Sequence, residues 1–140
     1  MIEFFMAMDP PTKTDQQHRI GIRKDGTRYV YRDAELKKAK AQLMEQLSRF
    51  RPAEQLQGPV RLIVKWLFPK GRHRDGQWKT TRPDTDNLNK MLKDCMTELG
   101  YWTDDALVCS EIIEKFWAAR PGIFIHIEQL EDPKTEGGWF

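Results

Sequence analysis

The sequence predicts an α+β fold in one domain, with a small mixed, largely antiparallel sheet and two main helices. Two segments have apolar residues spaced three and four apart, which favours helices. The segments before and after them have alternating apolar residues, which favours strands. A chain of 140 residues suits a single core, and five tryptophans and seven phenylalanines provide bulk for it. We expect the domain to span residues 1–130 and residues 131–140 to form a polar tail.

The N-terminal third predicts a strand, a hairpin and a helix. Residues 2–8 are mostly apolar and are followed by two prolines, which end a strand. An Asp-Gly turn at residues 25–26 lies between alternating segments and predicts a β-hairpin over residues 19–31. This hairpin is rich in Lys and Arg, and is either a solvated hairpin or an arm that faces DNA. A helix over residues 34–50 follows, with Asp33 as its expected N-cap.

The central and C-terminal segments predict two strand regions on either side of a loop and a second helix. Residues 60–68 are the clearest strand, because every even-numbered residue is apolar. Residues 69–83 form a glycine-containing loop with five Lys or Arg and one acid, which we expect to be mobile and to attract phosphate. A helix over residues 86–99 should end at Gly100 as its C-cap. Strands within residues 106–128 are predicted to form a β-hairpin.

Composition limits the class of protein. The net charge is only +2, so a nucleic-acid partner can be inferred only from how the basic residues are distributed. Cys95 and Cys109 fit no zinc spacing and are interpreted as core residues. Trp78 could stack on a base, although a tryptophan that covers the core is the commoner case. No apolar run approaches ~18 residues and no signal peptide is recognisable, so we expect a cytoplasmic protein that does not contact membranes.

The main functional signal is the acidic segment over residues 84–90, together with the Asp pair at residues 104–105. Asp84 and Asp86, with a third Asp from another element, would supply the oxygen ligands that Mg²⁺ prefers. Such an ion can polarise a phosphodiester and lower the pKa of a bound water. Alternatively, Asp84 or Asp86 caps the helix and Lys90 is a salt-bridge partner one turn on. The residues alone leave both interpretations open.

The segments PDTDNLNK (residues 83–90) and GYWTDD (residues 100–105), with Asp94 between them, resemble the signature of the RusA family of Holliday junction resolvases. That signature is D-x-D-N-L-x-K, then an Asp, then G-[FY]-[hydrophobic]-x-D-D. Upstream the resemblance is looser: residues 11–16 depart from the Pro-Ser-x-Asn of many members, and no role is carried over there.

The resemblance implies a small α+β homodimeric endonuclease, common on phages and prophages. Such an enzyme binds four-way DNA junctions by shape and nicks them in pairs with Mg²⁺, for which Mn²⁺ substitutes. By this resemblance Asp84, Asp86 and Asp105 bind the metal and, with Lys90, form the catalytic set. Asp104 precedes the matched acid, and the pair itself does not decide which of the two binds metal. Two nicks related by two-fold symmetry also favour a homodimer.

Basic residues of the predicted hairpin and loop are the expected DNA contacts: Arg19, Arg23, Lys70, Arg72, Arg74, Lys79 and Arg82. The sequence does not identify the dimer interface, and the apolar surface of residues 106–128 is one candidate for it. Two other functions remain open. One is a non-catalytic DNA-binding module whose acids only cap a helix. The other is a metal-dependent nuclease or phosphatase that acts on other branched DNA, on RNA or on small phosphates.

Overall fold

The computed structural model describes residues 1–14, 19–22, 24–26, 28–31, 34–134 and 138–139. It confirms the α+β class, a mixed sheet and two main helices. The elements in chain order are β1 (Ile2–Met6), β2 (Arg19–Ile22), β3 (Arg28–Tyr31), α1 (Ala34–Arg49), β4 (Val60–Pro69), α2 (Thr85–Glu98), a 3₁₀ turn (Asp105–Leu107), β5 (Val108–Ala118) and β6 (Gly122–Gln129).

The main sheet has the strand order β1-β6-β4-β5. Its β1–β6 and β6–β4 pairs are antiparallel, whereas β4 and β5 are parallel. The predicted hairpin over residues 106–128 is therefore wrong, because β4 lies between β5 and β6. The three residues between β5 and β6 have the length of a hairpin turn, but they cross the end of β4. This is possible because strands on either side of a third strand are only about 10 Å apart, a distance that three residues can span.

The core lies between the helices and one face of the sheet. The even-numbered residues of β4 are all buried, as their alternation predicted. Helix α1 buries Leu36, Leu43 and Leu47, and α2 buries six residues: Leu88, Asn89, Met91, Leu92, Cys95 and Met96. Cys95 is thus a core residue as predicted, but Cys109 is exposed and its assignment to the core is wrong. Cys109 lies in the edge strand β5, of which only Ala118 is buried, so this strand contributes little to the core.

Helix α2 ends where the sequence predicted, to within one residue. Leu99 is the C-cap and Gly100 follows with a φ of +81°, a conformation that glycine adopts without strain. The Gly100 amide donates to the Thr97 carbonyl and the Tyr101 amide to the Met96 carbonyl, both at 3.0 Å, which is a Schellman motif. The Tyr101 hydroxyl donates to the Leu47 carbonyl at 2.6 Å and so joins the ends of the two helices.

The N-terminal elements agree with prediction in their type. Strands β2 and β3 pair antiparallel in a separate two-stranded sheet, as the Asp-Gly turn indicated. The first strand ends at Met6, two residues earlier than predicted. Asp33 and Arg23, and the side chains of β2 and β3, lie outside the described residues. Within the part of the chain that the structure describes, no helix is both long and apolar enough to cross a membrane.

Candidate acidic site at the start of helix α2

Asp84 occupies the N-cap position of α2 but does not cap the helix with its side chain. Its backbone is extended, with φ −75° and ψ 149°, and its carboxylate makes no capping hydrogen bond. Its backbone carbonyl accepts the first helical hydrogen bond, from the Leu88 amide at 3.1 Å. Asp86 follows in the first turn and is exposed. The capping interpretation therefore does not describe the Asp84 carboxylate.

The two carboxylates of the Asp104-Asp105 pair have different surroundings. Asp104 is the N-cap of the 3₁₀ turn, and its Oδ1 accepts a hydrogen bond of 2.9 Å from the Ala106 amide. The Leu107 amide also donates to the Asp104 carbonyl, at 3.1 Å. Asp105 is half-buried, and its side chain has no hydrogen bond or ion pair with the described residues. The turn thus uses the Asp104 carboxylate and leaves that of Asp105 available.

Lys90 is exposed one turn after Asp86, and its charged partner is Asp94. Its Nζ lies 3.6 Å from Asp94 Oδ2, in an i,i+4 pair on the helix surface. Exposed pairs of this kind contribute only about 0–1 kcal/mol, so a phosphate could replace the carboxylate at little cost. Lys90 is therefore not a salt-bridge partner of Asp86 in this structure.

The acids suit a divalent cation by chemistry. Carboxylate oxygens are the ligands that Mg²⁺ prefers, and the side chains of Asp84, Asp86 and Asp105 have no hydrogen bond or ion pair within the described part of the chain. Within the same residues, no three Asp, Glu, His or Cys side chains are grouped so that they could hold a metal ion. The donor type therefore fits, and the three acids are not drawn together here.

Asn89, one residue before Lys90, is fully buried and orients α2. Its Oδ1 accepts from Trp66 Nε1 at 3.4 Å, and its Nδ2 donates to Glu111 Oε2 at 3.3 Å. Glu111 also bonds Lys93. Buried amides need such partners, so these contacts fix the rotation of α2 against β4 and β5. At about 100° per residue, Asp86 and Lys90 lie about 60° and 100° around the helix from Asn89, so the same rotation also sets the direction of these two exposed side chains. The only sequence signal for Asn89 was its position next to Leu88, on the apolar side.

The basic loop, which the sequence predicted to be mobile and to attract phosphate, is hydrogen-bonded along the outer edge of β5. The Gly76 amide donates to the Trp117 carbonyl, and the Trp117 amide donates to the Gln77 carbonyl, both at 2.8 Å. The Lys79 amide donates to the Lys115 carbonyl at 3.0 Å. The loop therefore continues the sheet for a few residues and brings its basic side chains to a fixed place just before Asp84.

The predicted DNA-contacting residues of the loop fall into two groups. Arg72, Arg74 and Arg82 are exposed and Lys70 is half-buried, whereas Lys79 is only 8% exposed. Burial, with a further contribution from the neighbouring Lys115 charge, lowers the pKa of Lys79. Burial does not favour a direct contact between Lys79 and a DNA phosphate. The side chains of Arg19 and Arg23 lie outside the described residues.

Trp78 does not cover the core. It is 57% exposed and stacks on Phe116 of β5, with ring centroids 4.4 Å apart. The commoner role of a tryptophan, which the sequence favoured, is therefore wrong for this residue. An exposed indole in a basic loop is available for contact with a base.

Comparison with known proteins shows the family to which the chain belongs. A family model described as "Endodeoxyribonuclease RusA" matches residues 10–128. The crossover junction endodeoxyribonuclease rusA of Lactococcus phage r1t is 38% identical over 110 residues, which cover 76% of this chain and 81% of that protein. The uncharacterized protein YqaN of Bacillus subtilis (strain 168) is 30% identical over 95 residues, which cover 59% of this chain and 66% of that protein. The chain therefore belongs to the RusA family of endodeoxyribonucleases.

Proposed function

We propose that this chain is a divalent-metal-dependent endodeoxyribonuclease that resolves four-way DNA junctions by paired, symmetric nicks, and that it acts as a homodimer. One observation carries the proposal: Asp84, at the N-cap of α2, leaves its carboxylate without a capping bond, next to exposed Asp86. The 38% identity to a phage crossover junction endodeoxyribonuclease supports the choice of substrate.

Asp84, Asp86 and Asp105 would hold the ion, Mg²⁺ with Mn²⁺ as a substitute. When bound, it polarises the scissile phosphate and makes water a better nucleophile at neutral pH. Asp104 is not included in this set, because its Oδ1 already accepts from the Ala106 amide. The acids come from two separate elements, so the site depends on how α2 packs against the 3₁₀ turn that precedes β5.

Lys90 supplies the positive charge that the chain itself brings to the reaction. Water attacks phosphorus, the bond to the 3′ oxygen breaks, and the products are a 5′-phosphate and a 3′-hydroxyl that can be ligated. The ammonium of Lys90 stabilises the additional negative charge at phosphorus or protonates the leaving oxygen. Its exposed position and its weak pairing with Asp94 leave it free to turn toward a phosphate.

Lys70, Arg72, Arg74 and Arg82 contact DNA phosphates, together with Arg19 and Arg23 of the N-terminal hairpin. Hydrogen bonds to β5 hold the loop that leads into Asp84, so its cations are presented from a fixed backbone. Each phosphate contact releases counterions, so junction affinity falls steeply with salt. Trp78 offers an exposed ring face to an unstacked base at the branch point.

Two nicks on opposite strands need two sites related by a two-fold axis, which a homodimer provides. The decisive experiment is cleavage of a synthetic mobile four-way junction in Mg²⁺, Mn²⁺, Ca²⁺ or EDTA, with each of the four strands labelled in turn. We expect paired cuts at symmetric positions in Mg²⁺ and Mn²⁺ and none in EDTA. Binding without cleavage in every metal would instead identify a non-catalytic junction-binding module. Equal cleavage of flaps, duplexes or RNA would remove the junction as the specific substrate.

A further inference from the structure

Lys115, on the outer edge of β5, bonds the segment that leads into the acidic site. Its Nζ donates hydrogen bonds of 2.7 Å to two backbone carbonyl oxygens, those of Thr81 and Pro83. The Pro83 carbonyl belongs to the peptide plane that joins Pro83 to Asp84. Because a peptide bond is planar, holding this oxygen fixes the orientation of the backbone at Asp84.

Lys79 also bonds this segment. Its Nζ donates to Thr81 Oγ1 at 2.6 Å and lies 4.2 Å from the ring centroid of Trp117 and 4.9 Å from that of Phe68. Two ammonium groups are thus kept close together, although like charges repel each other. The carbonyl oxygens and aromatic faces around them offset this repulsion. Because the two ammonium groups repel each other, their placement directly before the acidic site indicates a role beyond attaching the loop to the sheet.

We propose that Lys115 is a positioning residue of the acidic site, which fixes the backbone from which the Asp84 carboxylate reaches the metal. The inference rests on the proposed function, because it takes Asp84 as a metal ligand. Lys115 itself touches neither metal nor DNA in this proposal. Groups that orient metal ligands in this way commonly change metal affinity by about 10–100-fold when they are removed.

The test compares Lys115→Met, which keeps most of the length of the side chain but removes its charge and its hydrogen-bond donors, with Lys115→Arg, which keeps the charge and the donors. Mn²⁺ binding to the purified full-length protein is measured by isothermal titration calorimetry, without DNA. We expect Lys115→Met to weaken Mn²⁺ binding about 10-fold and Lys115→Arg to restore most of the affinity. Lys65→Met, which removes an exposed lysine of β4, is the control for loss of one positive charge and should bind Mn²⁺ as the wild type does.

A second readout separates positioning from loop stability. The Mg²⁺ concentration for half-maximal junction cleavage should rise about 10-fold in Lys115→Met, while junction affinity in Ca²⁺ stays within about threefold of wild type. If Lys115→Met does not fold, Lys115→Gln replaces it, since one amide must then serve two carbonyls. Wild-type Mn²⁺ affinity in a folded Met or Gln variant overturns the role of Lys115. A wild-type protein that binds Mn²⁺ and cuts no junction overturns the proposed function instead.

Discussion

Asp84 and Asp104 hold the same local position and use their carboxylates differently. Each is the N-cap of a helical segment, and each has an extended backbone. Asp104 accepts a hydrogen bond from the Ala106 amide, whereas Asp84 makes no such bond. An aspartate cap contributes about 0.5–2 kcal/mol, so Asp84 forgoes a stabilisation that its residue type normally gives. One carboxylate is therefore used in the local fold, and the other is left available for the metal ion that we propose.

The largest expected effect distinguishes the three acids that we propose as metal ligands from Asp104, whose carboxylate caps the 3₁₀ turn. Asp84→Asn, Asp86→Asn and Asp105→Asn should each lower the rate of junction cleavage by at least about 1,000-fold, because each removes a carboxylate that would hold the metal. Asp104→Asn should stay within about fivefold of wild type, since an asparagine also caps. Single-turnover cleavage in Mg²⁺ measures the rates, and gel shifts in Ca²⁺ confirm that binding persists. Loss of cleavage in Asp104→Asn with full activity in Asp105→Asn would reverse the assignment of the pair.

Lys90 should have the next largest effect. Lys90→Met should reduce the single-turnover rate about 100-fold at saturating protein, as for loss of a general acid, and should leave junction affinity within about threefold. Lys37→Met, which removes an exposed lysine from α1, is the matched control and should change neither quantity. If Lys90→Met mainly weakens binding and the rate at saturation is normal, Lys90 is a phosphate contact and not part of the chemistry.

Trp78 tests whether the loop beside Asp84 reads the branch point. Trp78→Ala should weaken junction binding about 10-fold, because stacking is worth about 1–3 kcal/mol per base. Trp78→Phe should lose less, since it keeps a ring. Trp139 is 90% exposed in the C-terminal segment, and Trp139→Ala is the control that should bind normally. A junction with 2-aminopurine at the branch point reports the contact directly, and equal fluorescence for wild type and Trp78→Ala would exclude stacking there.

Local patterns in the sequence predicted most of the elements and the two segments that carry the acids. Alternation over residues 60–68 identified β4, and spacing of three and four identified α2, because both periodicities belong to a single element. The signature over residues 83–105 placed the acids on two elements in the same way. The alternation, the helical spacing and the signature each depend only on residues that are close together in the sequence.

Features set by non-local packing could not be predicted. No local signal indicates that β4 lies between β5 and β6, since the order of strands depends on which edges meet in the folded chain. Lys79 resembled its exposed neighbours in the loop, but pairing of the loop with β5 buried it. Lys115 looked like one lysine in an alternating strand, and only the fold brings its ammonium to the carbonyls beside Asp84. The resemblance chose Asp105 over Asp104, but only the geometry of the turn shows that the Asp104 carboxylate accepts a hydrogen bond from the Ala106 amide.

The smallest expected effect is on the stability of the fold, and it compares the N-cap residues Asp84 and Asp104. Asp104→Ala should lower the free energy of unfolding by about 1 kcal/mol, the usual loss for an N-cap. Asp84→Ala should change it by less than about 0.5 kcal/mol, because no cap bond is lost and relief of repulsion with Asp86 offsets the lost attraction to the helix dipole. Urea denaturation in EDTA measures both, with Asp104→Asn as the control that keeps the cap. Equal losses for the two alanine variants would mean that Asp84 caps α2 in solution, and its carboxylate would then have to leave the helix before it could bind a metal.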